Sequence, residues 1–285
     1  MASITINTNI SSLIAQRSLG NATDAMNLAI ERMTTGYKIN HAGDNAAGYS
    51  IARNWETQLG SLDVAADNAA TGADMLTTLE DTYSLVTSHV QRVRDLTEQA
   101  ANGTYGSQSL KAIQSEITAR LEEIDRIAAN CEFNGLKMMT GDMGEIALQV
   151  GLYNSDDSQI VLKEDLFESA AVADLFGEAS ANIAKKCAGL DNTATAASML
   201  TKIDGVINTI SGRITTLGAA QNRIESAIES IDVQSENITS SLSTLRDADI
   251  AEESSNYIQS QILQQAAATL LATANQTPSI ALNLL

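Results

Sequence analysis

Few side chains in this sequence could do chemistry. It holds two histidines, His41 and His89, in different segments, and two cysteines, Cys131 and Cys187. Neither histidine has metal-ligand company at helical spacing. Two cysteines make neither a disulfide framework nor a zinc site, which takes about four ligands. Glu122-Glu123 and Glu252-Glu253 are adjacent pairs, and adjacent residues on a helix point in different directions. No carboxylate pair is therefore set for acid–base work. No phosphate-cradling glycine loop, HExxH, CxxC or GxSxG motif occurs. The expectation is a protein that is not an enzyme and takes no cofactor or metal. One basic cluster stands out, Arg92 and Arg94 ahead of Asp95 and Glu98. Arg94 and Glu98 stand i,i+4, a pairing of about 0.2–0.5 kcal/mol on a helix. The cluster reads as a surface ion-pair strip or as a contact surface.

The elements that would carry these residues are long helices. The chain has 285 residues and one proline, Pro278, where average usage would give roughly 14. Aromatic residues are 4% against a hydrophobic fraction of 44%, so the apolar material is mostly aliphatic and suits helix-on-helix packing. A first helix is expected from about residue 7 to 33, with a seam at Ala15, Leu19, Ala22, Met26, Ala29 and Met33. These positions step by fours and threes. After a glycine-marked break, Asp44 is the expected N-cap of a helix reaching about residue 101. Its apolar face runs from Trp55 to Val93. A turn at 102–106 leads to a third helix with Ile113, Ile117, Leu121 and Ile124 on one face. From Cys131 the period changes. Residues 145–150 and 158–162 read as two strands around a turn, and 165–176 as a short helix ended by Gly177. Helical spacing resumes from Met199 to Leu245. A last helix, from about residue 250 to 274, is expected to present Leu263, Ala267, Leu270 and Ala274, with Pro278 ending it. Gly60, Gly72 and Gly218 interrupt helices and suggest close approach of a neighbour.

The expected fold is mainly α: an elongated antiparallel bundle or coiled coil of long helices, with a small β-hairpin region in the middle. Its parts would be residues 1–43, an N-terminal coiled-coil segment with a linker; 44–245, a rod with β structure near 131–190; and 246–285, a C-terminal coiled-coil segment. The terminal seams are rich in alanine, so that pair is expected to gain its order on assembly with other copies. With 35 acidic and 17 basic residues the net charge is −18. Nucleic acid and anionic membrane surfaces would repel it. No apolar run is long enough to span a bilayer, and residues 1–7 lack the features of a secretory signal.

The residues then resemble bacterial flagellin. The resemblance is carried by 35–48, Thr-Gly-Tyr-Lys-Ile-Asn-His-Ala-Gly-Asp-Asn-Ala-Ala-Gly. It continues in Gln91-Arg92-Val93-Arg94-Asp95-Leu96, in 117–135 with Phe133-Asn134-Gly135, in Gln261-Ile262-Leu263-Gln264-Gln265-Ala266, and in Ala274-Asn275-Gln276-Thr277-Pro278. It covers about residues 1–140 and 195–285, and the short stretch between implies a form without variable outer domains. The resemblance implies a subunit that polymerises into the flagellar filament for motility, and an extracellular location. It implies export through the flagellar type III apparatus without a cleaved signal, with an export chaperone and cap and junction proteins as partners. It also implies recognition of the monomer by host Toll-like receptor 5 through a patch matching Gln91, Arg92, Leu96 and Glu116, with Arg94 alongside. Asn45, Tyr37-Lys38 and Leu284-Leu285 depart from the usual pattern. The alternatives are a hook–filament junction protein with flagellin-like ends and a chemoreceptor-type signalling coiled coil, the latter opposed by the lack of membrane segments.

Overall fold

The computed structural model describes residues 8–190 and 193–283. The expected helix start at residue 7, the opening residues 1–7 and Leu284-Leu285 lie outside the described residues. In chain order the elements are α1 (Ile10–Thr35), α2 (Ala46–Ala101), α3 (Ser107–Asn130), β1 (Glu132–Phe133), β2 (Leu136–Lys137), β3 (Ile146–Gln149), β4 (Gln159–Leu162), α4 (Val172–Phe176), α5 (Ser180–Cys187), α6 (Thr193–Arg246) and α7 (Ile250–Asn283). The fold is mainly α, with two small antiparallel two-stranded sheets, β1–β2 and β3–β4. With 56 residues in α2, that helix measures about 84 Å at ~1.5 Å per residue. Neither it nor α6 contains a proline.

The chain divides into two compact units. One is formed by the residues up to Leu59 and from Glu236 onward, the other by Gly60–Ser235. In the second unit α2 packs on α3 and on α6. The tie Arg92 to Glu116 and the contact of Thr82 with Cys131 make α3 antiparallel to α2. The ties Arg94 to Asp204 and Glu80 to Gln221 do the same for α6. The core holds Leu76, Leu79, Tyr83, Val86, Val90 and Val93 from α2, Ile117, Leu121 and Ile124 from α3, and Ile203, Ile210, Leu217 and Ile224 from α6. These are the positions that the spacing of threes and fours selects.

The middle segment closes this core with Met138, Met139, Leu162, Phe167 and Ile183. Its anchors are polar. Tyr83 donates its hydroxyl to the Glu168 carbonyl at 3.2 Å, and the Arg213 guanidinium lies over the Tyr83 ring. Asp125 on α3 accepts from the Val172 N–H and from the Ser180 hydroxyl, each at 2.8 Å, so one carboxylate serves the first turns of both α4 and α5. The strands at 146–149 and 159–162 pair as expected, in register Ile146 to Leu162 and Gln149 to Gln159. Three details differ from expectation. The helix expected over 165–176 is a 3-10 turn at Glu164–Phe167 followed by the separate α4. The α5 helix was not anticipated. Nor was the β1–β2 hairpin, which turns on Asn134 and Gly135, both at positive φ, the chemistry of a type I′ turn.

In the first unit α1 and α7 run antiparallel. Three pairs of ties fix this: Asn9 with Ala274, Thr23 with Gln264, and Arg32 with Glu253. The break after α1 begins at Gly36, whose left-handed backbone caps the helix. The breaks at 36–45 and 247–249 pair with each other. Tyr37 and Asp247 form an antiparallel bridge, the Lys38 N–H donates to the Arg246 carbonyl at 2.7 Å, and the Ala248 N–H donates to the Gly36 carbonyl at 2.8 Å. The Arg246 guanidinium lies 4.1 Å from the Tyr37 ring centroid and pairs with Glu56.

Two caps differ from expectation. Asn45, not Asp44, caps α2, its Oδ1 accepting from the Gly48 N–H at 2.9 Å. Asp44 instead closes the preceding turn by accepting from the Asn40 and His41 N–H groups. Those two bonds hold its carboxyl below the ordinary 3.8. Nor does Pro278 end the last helix, for α7 continues to Asn283. Proline at 278 removes the hydrogen bond that Ala274 would receive, and the Asn9 side-chain amide donates to that carbonyl at 2.7 Å.

Candidate functional site

The terminal pair buries little and exposes much. On α1, Ala15, Ala22 and Ala29 are buried, one heptad apart, with Leu19, Met26 and Met33 half-buried beside them. Among the described side chains of α7 the buried ones are Glu253, Ser260 and Ala267, again one heptad apart, and the half-buried Ala274 continues the row. Leu263 and Leu270, expected in that seam, are 52% and 62% exposed. Small side chains let the two helices approach closely, and the leucines are displaced to the flanks. Ile10, Leu13 and Ile14 on α1 and Ile258 and Ile262 on α7 are exposed as well. A groove of about 420 Å³ runs along the pair, lined by Ile14, Ala15, Leu270 and Ala274 among others. Exposed aliphatic side chains at this density mark an interaction surface.

The charged patch lies in the other unit. Arg92 on α2 donates through Nε and Nη2 to Glu116 on α3 at 3.0 and 2.8 Å. Arg94 donates through Nε to Asp204 on α6 at 2.7 Å and reaches Glu98 at 3.3 Å. The Asp204 bond raises the Arg94 guanidinium above its ordinary value. Each arginine thus ties α2 to a different neighbour. Gln91 is exposed beside them. Leu96 is not part of this surface: it is 3% exposed and belongs to the core, because its position continues the apolar spacing of Val90 and Val93. The Arg94–Glu98 pair was legible from its spacing. The Asp204 partner was not, since it joins residues 110 apart.

The other chemistry-bearing residues are not brought together. Cys131 and Cys187 are free and buried, and burial pushes both thiols up. His41 meets Glu31 at 2.9 Å on the surface. Among the described residues no group of three His, Cys, Asp or Glu could hold a metal ion. No helix among them is long and apolar enough to cross a membrane. Of Gly60, Gly72 and Gly218, Gly72 faces a neighbour, since a Cβ there would meet Leu148 Cδ1 at 2.4 Å. Gly60 and Gly218 have open space.

Comparison with known proteins gives the family of the chain. The model of the bacterial flagellin N-terminal helical region matches residues 6–143, and that of the C-terminal helical region matches residues 200–285. The flagellar filament 33 kDa core protein of Treponema phagedenis is 33% identical over 98% of this chain and 99% of its own length. The chain belongs to the bacterial flagellin family. Polar flagellin F of Vibrio parahaemolyticus is 29% identical over 99% of both chains. The solved structure of a protein described as a flagellar hook-associated protein of Vibrio parahaemolyticus covers 72% of this flagellin and 100% of its own chain. Its TM-score is 0.60 at 12% identity, a likeness of fold alone. Flagellins are structural, non-enzymatic proteins, and this flagellin is a structural subunit of the extracellular flagellar filament, built by self-polymerisation. Its length fits a form without outer domains.

Proposed function

We propose that the aliphatic flanks of the α1–α7 pair are covered by neighbouring copies in the filament, and that the assembled filament serves motility. The observation that carries this reading is the arrangement of the pair, with alanines inside and Ile14, Ile262, Leu263 and Leu270 outside. Apolar burial yields ~25 cal/mol per Å², so covering these side chains drives association. The subunit reaches the cell exterior through the flagellar export apparatus without a cleaved signal, attended by an export chaperone, and meets cap and junction proteins at the filament. Electron microscopy of the purified chain with short filament seeds tests the reading. Long filaments are expected, and persistent monomer refutes it and revives the junction-protein alternative. Removal of residues 251–285 should abolish elongation.

As a monomer the subunit is recognised by Toll-like receptor 5 through Gln91, Arg92, Arg94 and Glu116. What supports this is that Gln91 and Arg92 are exposed on α2 and that Arg92 ties to the half-buried Glu116 on α3, with the half-buried Arg94 alongside. Leu96 acts only by packing beneath them. Receptor affinity should fall in R92A/E116A, and unchanged affinity removes the assignment.

A further inference from the structure

Asparagine is followed by glycine at two places in the chain, Asn102-Gly103 and Asn134-Gly135, and both pairs are exposed. Such a pair carries its own nucleophile and electrophile. The glycine nitrogen can close a five-membered ring on the asparagine Cγ, and glycine brings no side chain to hinder it. Closure needs Cβ and that nitrogen on the same side of the Cα–C bond. At Asn134 they stand on opposite sides, because the residue is left-handed, with φ 51°. The pairing of Phe133 with Leu136 holds this turn, so Asn134 cannot rotate without opening the hairpin.

Asn102 lies in the turn between α2 and α3 and is held differently. Its Oδ1 accepts from the Thr104 N–H at 3.4 Å, an Asx turn. The ring closed by that bond contains both Cγ and the Gly103 nitrogen, so the turn keeps the reacting atoms near each other. Among the described residues nothing accepts from the Gly103 N–H, and its proton is open to base from solvent. The Thr104 N–H is also a donor to the oxygen on which charge develops. We propose that Asn102 is a site of spontaneous deamidation, with water as the co-reactant, and that the hairpin shields Asn134 from the same reaction. The Gly103 nitrogen gives its proton to solvent base and bonds to Cγ. The Cγ–Nδ2 bond breaks, and ammonia leaves with a proton from water. Water then opens the cyclic imide at either carbonyl, giving aspartate or isoaspartate. Either product places a negative charge at the C-terminal end of α2, where the helix dipole disfavours it. Isoaspartate also lengthens the backbone of the turn, across which Gln99 Nε2 donates to the Tyr105 hydroxyl at 2.9 Å.

The full chain is aged in mildly alkaline buffer, folded and in urea. The tryptic peptides 95–111 and 127–137 are followed by mass spectrometry, with fragment ions locating the site and chromatography separating aspartate from isoaspartate. In the folded chain Asn102 should react at least about tenfold faster than Asn134, ~1.4 kcal/mol in barrier. In urea the two rates should converge, with isoaspartate formed at both positions. In G103A the rate at Asn102 should fall while that at Asn134 stays unchanged. Comparable rates at the two positions in the folded chain overturn the inference. So does aspartate without isoaspartate at Asn102, which would mean direct hydrolysis rather than ring closure.

Discussion

Around Tyr83 and Ile117 the chain buries large side chains among three helices and a covering segment. Along α1 and α7 it buries alanines, a serine and a carboxylate and leaves isoleucines and leucines outside. Both regions are helical, and both obey the same steps of three and four. They differ in what stands at the inward positions. A core of aliphatic and aromatic groups supplies its own driving force. Two helices joined through alanines bury little, and most helical stability in proteins comes from packing an apolar face. Helical periodicity therefore shows where a helix is, while side-chain size shows whether it stands alone.

The comparison is broken most directly by truncating one residue from each region. Ile117→Ala, at a position with no exposure, should destabilise the free chain by ~2–5 kcal/mol, read from its denaturation midpoint. Leu270→Ala should shift that midpoint by no more than ~0.5 kcal/mol yet slow seeded elongation. Equal losses from the two would erase the distinction.

Two glycines of α2 sharpen it at a smaller scale. Gly72→Ala should gain less than Gly60→Ala, because its Cβ must displace the half-buried Leu148 side chain. Gly60→Ala, into open space, should stabilise by up to ~1 kcal/mol through better helix propensity. Thermal denaturation of both variants checks the order.

The smallest effect is expected at Asp44, in the exposed turn before α2. Its carboxyl lies below 3.8 in the folded chain, so its contribution is fully present above that value and fades as pH falls through the folded value. Relative to the unfolded-chain rate at each pH, the protection of the Asn40 and His41 amides should fall in acid, and Asp44→Asn should flatten that dependence.

The long helices were legible because large aliphatic groups recur through α2, α3 and α6 at positions the fold buries. The α7 face was misread for the same reason: Leu263 and Leu270 look like seam residues until the heptad of Glu253, Ser260 and Ala267 is seen to allow closer approach. The β1–β2 hairpin carried a usable signal in Asn134-Gly135. The α2 cap was displaced by one residue because Asp44 and Asn45 are both competent, and the backbone of the turn chose between them. In the charged patch the local pair was readable, but Asp204 and the double role of Asp125 depend on tertiary placement that no spacing encodes.

The paired breaks at Tyr37 and Asp247 have a mechanical consequence. One strand leads from α1 toward α2 and the other from α6 toward α7, and they lie antiparallel. Tension along the strands, with the terminal helices at one end and α2 and α6 at the other, is shared by two covalent backbones in parallel. The hydrogen bonds between them are neither unzipped nor sheared by such a pull. They resist bending and twist instead, with Arg246 braced between Tyr37 and Glu56. Extension at this joint is carried by covalent bonds, and bending by the hydrogen bonds between the two breaks.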